Sequence, residues 1–84
     1  MDYDEVEVDE EKVDEAVLAL LYLTSFTEQG ITRAWKGHDW DALGRLHERG
    51  LIFNPKGKAR SVVLTEEGVK ESERLFWKIF AKVR

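Results

Sequence analysis

The stretch Asp39-Trp40-Asp41-Ala42-Leu43-Gly44-Arg45-Leu46-His47-Glu48-Arg49-Gly50-Leu51-Ile52-Phe53 runs into Asn54-Pro55-Lys56-Gly57. It continues through Arg60-Ser61-Val62-Val63-Leu64 to Thr65-Glu66-Glu67-Gly68. Trp40, Leu43, Leu46 and His47 recur at the spacing of one helix face, Asp39 stands where an N-cap belongs, and Gly50 supplies the left-handed residue that ends a helix. A helix over about 40–49 follows. Leu51 to Phe53 then reads as a strand, Asn54 to Gly57 as a turn, and Arg60 to Leu64 as the returning, β-branched strand of a hairpin with a basic tip. Thr65 caps a last helix over about 66–82, with Glu66 and Glu67 in the first turn and Val69, Phe76, Ile79, Phe80 and Val83 as its apolar line.

Toward the N-terminus, Asp9 is an N-cap and Val13, Val17, Leu20, Leu21 and Thr24 form a helical stripe, so a first helix is predicted over about 10–26. Leu18, Tyr22 and Leu23 lie off that stripe, which marks this helix as the central one. Between Gly30 and Gly37 there is room for a short helix only. The predicted order is helix, short helix, helix, strand, strand, helix: a mainly α, α+β fold. Residues 1–8 alternate acids with a few apolar residues and bury too little surface to offset chain entropy, so they are expected to form a disordered acidic leader before a single domain at 9–84.

A chain of 84 residues supports one modest core, and the absence of cysteine removes disulfides, thiolate metal ligands and a thiol nucleophile. No signal-peptide pattern and no apolar run of membrane-spanning length stands in the chain, which predicts a cytoplasmic protein. The net charge of −4 hides an uneven distribution. Residues 1–15 hold nine carboxylates against Lys12, whereas residues 16–84 hold twelve bases and eight acids. The excess of bases lies within 33–60, in Arg33, Lys36, Arg45, Arg49, Lys56, Lys58 and Arg60.

The frame Leu46-x-x-x-Gly50-Leu51-Ile52, followed by the basic turn and Val62-Val63-Leu64-Thr65-Glu66-Glu67-Gly68, resembles the recognition-helix, wing and following-helix segment of MarR- and PadR-type winged helix-turn-helix regulators. More narrowly, Arg33-Ala34-Trp35-Lys36-Gly37 and Leu64-Thr65-Glu66-Glu67-Gly68 resemble a small bacterial family of uncharacterised winged-helix-like proteins. The broader resemblance implies a DNA-binding, transcription-regulator-type domain, with the 39–49 helix in a major groove and the 54–60 wing on the flanking backbone. It points to Arg45, Arg49, Lys56, Lys58 and Arg60 as the DNA contacts.

Other chemistry has weak support in the residues. His38 and His47 lack metal-ligand spacing, and Ser25, Ser61 and Ser72 have no base or oxyanion frame, so neither a metal, a cofactor nor an enzyme activity is expected. Trp35 and Trp40 are expected to wedge the short helix against the helix that follows. Trp77 stands among Leu75, Phe76, Ile79 and Phe80, more apolar surface than one face of a monomer covers. It is a candidate contact for a second copy or a protein partner, unless it lies over the first helix of its own domain. Two function classes remain open: a homodimeric DNA binder, or an interaction module that uses the apolar last helix and the acidic leader and binds no DNA.

Overall fold

A computed structural model of the chain describes residues 7–82. Most of the expected acidic leader therefore lies outside the described residues, as does Val83. The elements are α1 (Glu10–Leu23), β1 (Phe26–Glu28), β2 (Ile31–Trp35), α2 (Trp40–Glu48), β3 (Ser61–Val63) and α3 (Glu66–Ile79). Among the described residues the architecture is α+β: three helices and one antiparallel sheet in the order β1-β2-β3. No helix among the described residues is long and apolar enough to cross a membrane.

Local chemistry sets the helix ends. Asp9 accepts from the Glu11 and Lys12 amides at 3.1 and 3.3 Å and starts α1. At the other end Thr24 Oγ1 donates to the Leu20 carbonyl and Ser25 Oγ to that of Tyr22, so side chains take over the last carbonyls and the helix stops at Leu23 rather than near 26. Gly50 has φ +75°, with the Gly50 amide on the His47 carbonyl and the Leu51 amide on that of Leu46, a Schellman end for α2. Asp39 occupies the N-cap position of α2, but its side chain makes no capping bond. Thr65 Oγ1 accepts from the Gly68 amide and donates to the Gly50 carbonyl, tying the start of α3 to the end of α2.

The expected short helix is a strand. Gln29 and Gly30 both have positive φ, 53° and 79°, and the flanking Glu28 and Ile31 are Cα partners, which is the two-residue hairpin turn matched to strand twist. With Ile31 and Thr32 β-branched, and Phe26 and Trp35 aromatic, the segment favours pairing over coiling. Ile31, Ala34 and Trp35 share helical spacing, but Ala34 is buried while Ile31 and Trp35 point to the opposite face and are exposed. The element directly before α2 is therefore the strand β2 rather than the first helix of a helix-turn-helix pair.

The second hairpin is also rearranged. Strand β3 pairs along β2, with Arg33 opposite Val63, Ala34 opposite Val62 and Trp35 opposite Ser61. The expected strand at 51–53 survives as the single bridge between Ile52 and Leu64, with the Phe53 amide on the Val63 carbonyl at 2.9 Å. Pro55 cannot extend that ladder because it has no amide hydrogen to donate.

Helix α1 packs against α3, α2 and β2 and is the central element. Its Val17, Leu18 and Leu21 meet Leu43 and Leu46 of α2, Leu51, Ile52, Val62 and Leu64 beneath the sheet, and Leu75 of α3 in one core. The buried line of α3 is Gly68, Ser72 and Leu75, with Val69 packed against the core. The expected line runs through large residues, whereas Gly68 lies directly against the Leu51 carbonyl and Ser72 is fully buried. Ile79 and Phe80 stand at the exposed margin of the core, 43% and 42% exposed.

Candidate nucleic-acid interface

The five cations expected to contact DNA divide into two groups. Arg45, on α2, is held by Asp14 of α1: Nε donates to both carboxylate oxygens at 3.0 and 2.9 Å, and Nη2 to Oδ1 at 2.8 Å. Glu10 adds a second carboxylate at 3.4 Å. Asp14 is only 4% exposed, so the guanidinium is what satisfies it. The hydrogen bonds to Asp14, followed by the attraction of Asp14, Glu10 and Asp39, push the Arg45 pKa above its ordinary value and keep it charged in place. Arg45 therefore fastens α2 to α1. Arg49 caps the C-terminal end of α2 and is exposed on the wall of a groove of about 630 Å³ between the three helices. That groove mixes Arg49, Arg74 and Lys78 with Glu11, Glu15, Glu48 and Glu71, and Arg74 and Lys78 are already paired with Glu71 and Glu15. With Arg45, Asp14 and Glu10 also on its wall, carboxylates outnumber cations, so the groove is acidic rather than cationic.

Lys56, Lys58 and Arg60 form the second group, all exposed on the loop between Phe53 and Ser61. Among the described residues none of the three has a carboxylate within ion-pair distance. The loop has defined anchors. Asn54 Oδ1 accepts from the Lys56 amide at 2.9 Å, Pro55 is buried, and the Arg60 carbonyl accepts from the Lys36 amide at 3.0 Å. Lys36 also sends its ammonium to the Pro55 and Gly57 carbonyls at 2.7 and 2.9 Å, and the same Nζ lies 5.8 Å from the centre of the Trp40 ring. Sequence reasoning assigned Lys36 no such part: its partners stand about twenty residues away, and nothing in the local spacing signals them. Replacing Lys36 by methionine, which keeps most of the stem and removes the donors, is expected to speed amide exchange at Lys56 to Arg60 with little change at α1. Unchanged exchange across the loop would show that Asn54 and Pro55 hold it alone.

The tryptophans do not wedge helices together. Trp35 is 56% exposed on the outer face of the sheet, its ring centre 6.0 Å from that of Phe26, and Trp40 is half exposed beneath Lys36. Trp77 is 62% exposed and meets Phe76 edge-on, so it does not lie over α1; Tyr22 of α1 instead contacts Phe76, at 5.1 Å between centres. His47 is exposed and donates from Nδ1 to the Ile52 carbonyl at 3.1 Å.

A small α+β domain carrying an anchored, exposed cationic loop beside an exposed aromatic sheet face is thus the class that fold and site define. Residues 9–82 match the family described as a domain of unknown function (DUF6429), and the chain belongs to that family. The uncharacterized protein y4hR of Sinorhizobium fredii (strain NBRC 101917 / NGR234) is similar to it, 53% identical over 77 residues that cover 92% of this chain and 100% of the relative. No solved structure matches the chain significantly.

Proposed function

We propose that the protein is a nucleic-acid-binding domain whose phosphate contacts come from the cationic loop 54–60. The observation that carries this reading is the contrast between two sets of cations. Arg45, Arg74 and Lys78 are paired with carboxylates, whereas Lys56, Lys58 and Arg60 stand on one anchored, exposed loop without such partners among the described residues. Unpaired cations on a fixed support are what a polyanion needs, because binding then releases counterions without first breaking ion pairs.

The order of α2, cationic loop, β3 and α3 supports the relationship to winged-helix regulators, with the loop as the wing. In that reading α2 is the DNA-reading helix and the protein regulates transcription. The exposed side of α2 carries Asp41 and Glu48 beside Arg49, and Arg45 is engaged by Asp14, so the wing rather than the helix leads the contact. A mobility-shift assay with a random-sequence duplex and a single strand at low and moderate salt tests the proposal: binding that weakens steeply with salt supports it, and no shift of either at low salt rejects it.

A protein partner is favoured by a different observation, the exposure of Trp77, Ile79 and Phe80 at the end of α3. If this end joins two copies, sedimentation equilibrium of the wild type shows a concentration-dependent dimer, and Trp77→Ala weakens it. A wild type that stays monomeric at high concentration removes the dimer from the account.

A further inference from the structure

The sheet has two unlike faces. Ala34, Val62, Ile52 and Leu64 point inward and are buried. On the outer face the pairing places Phe53, Val63, Arg33 and Phe26 in one row across the sheet, through the Phe53 amide bond to Val63 and the partners Val63–Arg33 and Arg33–Phe26. Trp35 stands in the next row, opposite Ser61 and beside the Phe26 ring. Phe53 and Trp35 are 58% and 56% exposed, and Phe26 is 36% exposed. The cationic loop leaves the sheet at Phe53 and rejoins it at Ser61, so the loop bounds this face at its Trp35 end. The carboxylate on the face, Glu28, lies at the far end opposite Ile31.

We infer that this outer face is a stacking platform for the unpaired bases of single-stranded nucleic acid, with Trp35 and Phe53 as the stacking rings and Arg33 beside Trp35 on the same strand. The inference rests on the proposed nucleic-acid function and names its substrate class. Charge selects this occupant: an apolar peptide has no use for Arg33 among the rings or for three cations at the margin that have no carboxylate partner among the described residues, whereas a single strand presents flat apolar bases and phosphates together. A duplex hides its base faces within its own stack, so it engages the loop and leaves the rings unused.

The test measures anisotropy of labelled 12-mers of oligo-dT, oligo-dU and oligo-U and of a random duplex of equal length, at about 50 and about 150 mM salt. Wild type is expected to favour single strands over duplex most clearly at the higher salt, where phosphate contacts count least. Trp35→Ala and Phe53→Ala each lose about tenfold or more on single strands and little on the duplex, and Trp35→Phe restores most of the loss. Both rings are more than half exposed, so circular dichroism melts of the variants are expected to match wild type. Oligo-dU differs from oligo-U in the 2′-hydroxyl alone, so a difference between that pair assigns the natural strand to DNA or RNA. Variants that bind single strands like wild type, while loss of the loop cations weakens every oligonucleotide, overturn the platform and leave the proposed function standing. Failure of wild type to bind any oligonucleotide removes both. A wild-type dimer abolished by Trp35→Ala overturns the platform by making this face a contact between copies.

Discussion

Gly68→Ala is expected to destabilise the protein by about 3 kcal/mol, against a helix-propensity rule that by itself favours alanine by about 1 kcal/mol. A Cβ at Gly68 would overlap the backbone carbonyl of Leu51, and that carbonyl has nowhere to go. The Leu51 amide is bonded to Leu46 at 3.0 Å in the end of α2, and the Leu51 oxygen accepts from the Thr65 amide at 3.1 Å. Relief would require α3 to shift, opening the Thr65 bonds to Gly50 and Gly68, at 2.7 and 3.0 Å. Urea denaturation measures the change, and Gly44→Ala is the internal control. Gly44 lies inside α2 with nothing near an added Cβ, so alanine there is expected to raise stability by up to about 1 kcal/mol. If both variants gained stability, the close approach of α3 to Leu51 would be wrong.

The caps explain why so much of this molecule is legible in sequence. Asp9, Gly50 and Thr65 act on amides and carbonyls within a few residues, so their types and spacing announce the helix ends directly. Strand pairing is different in kind. Arg33 and Val63 are thirty residues apart, and the partnership that turns 31–35 into the middle strand leaves no local mark beyond β-branched Ile31 and Thr32. Gly68 and Ser72 line the buried face of α3 but carry little apolar surface, so the hydrophobic period of the sequence passes over them.

The candidate site was legible to the same degree. A count of charges finds Lys56, Lys58 and Arg60, because their clustering is local. That Arg45 is already paired cannot be read from α2, since its partner Asp14 lies in α1. The aromatic row is hidden for the same reason. Phe26, Trp35 and Phe53 look like scattered core residues until the register places them on one exposed face.

Combined replacement of Lys56, Lys58 and Arg60 by alanine is expected to remove most nucleic-acid affinity at about 150 mM salt and to lower the slope of log affinity against log salt by roughly 2 to 3 units. Each cation that meets a phosphate contributes close to one unit, so single replacements are expected to act additively and equally on unrelated sequences. Folding should survive, because all three side chains are exposed and the anchors Lys36, Asn54 and Pro55 remain. Arg45→Ala is expected to behave in the opposite way, lowering the melting temperature by leaving buried Asp14 without its donor, with the salt slope unchanged. An unchanged slope in the triple variant would assign the phosphate contacts elsewhere.

Nuclear magnetic resonance reads the contact surface most directly. Adding an unlabelled single-stranded oligonucleotide to nitrogen-15-labelled protein is predicted to shift the amides of residues 33–36 and 53–61 and the indole of Trp35, leaving Trp77 and the α1–α3 contact unmoved. Shifts confined to the end of α3, or none at a low salt of about 50 mM where electrostatic binding is strong, would contradict the account.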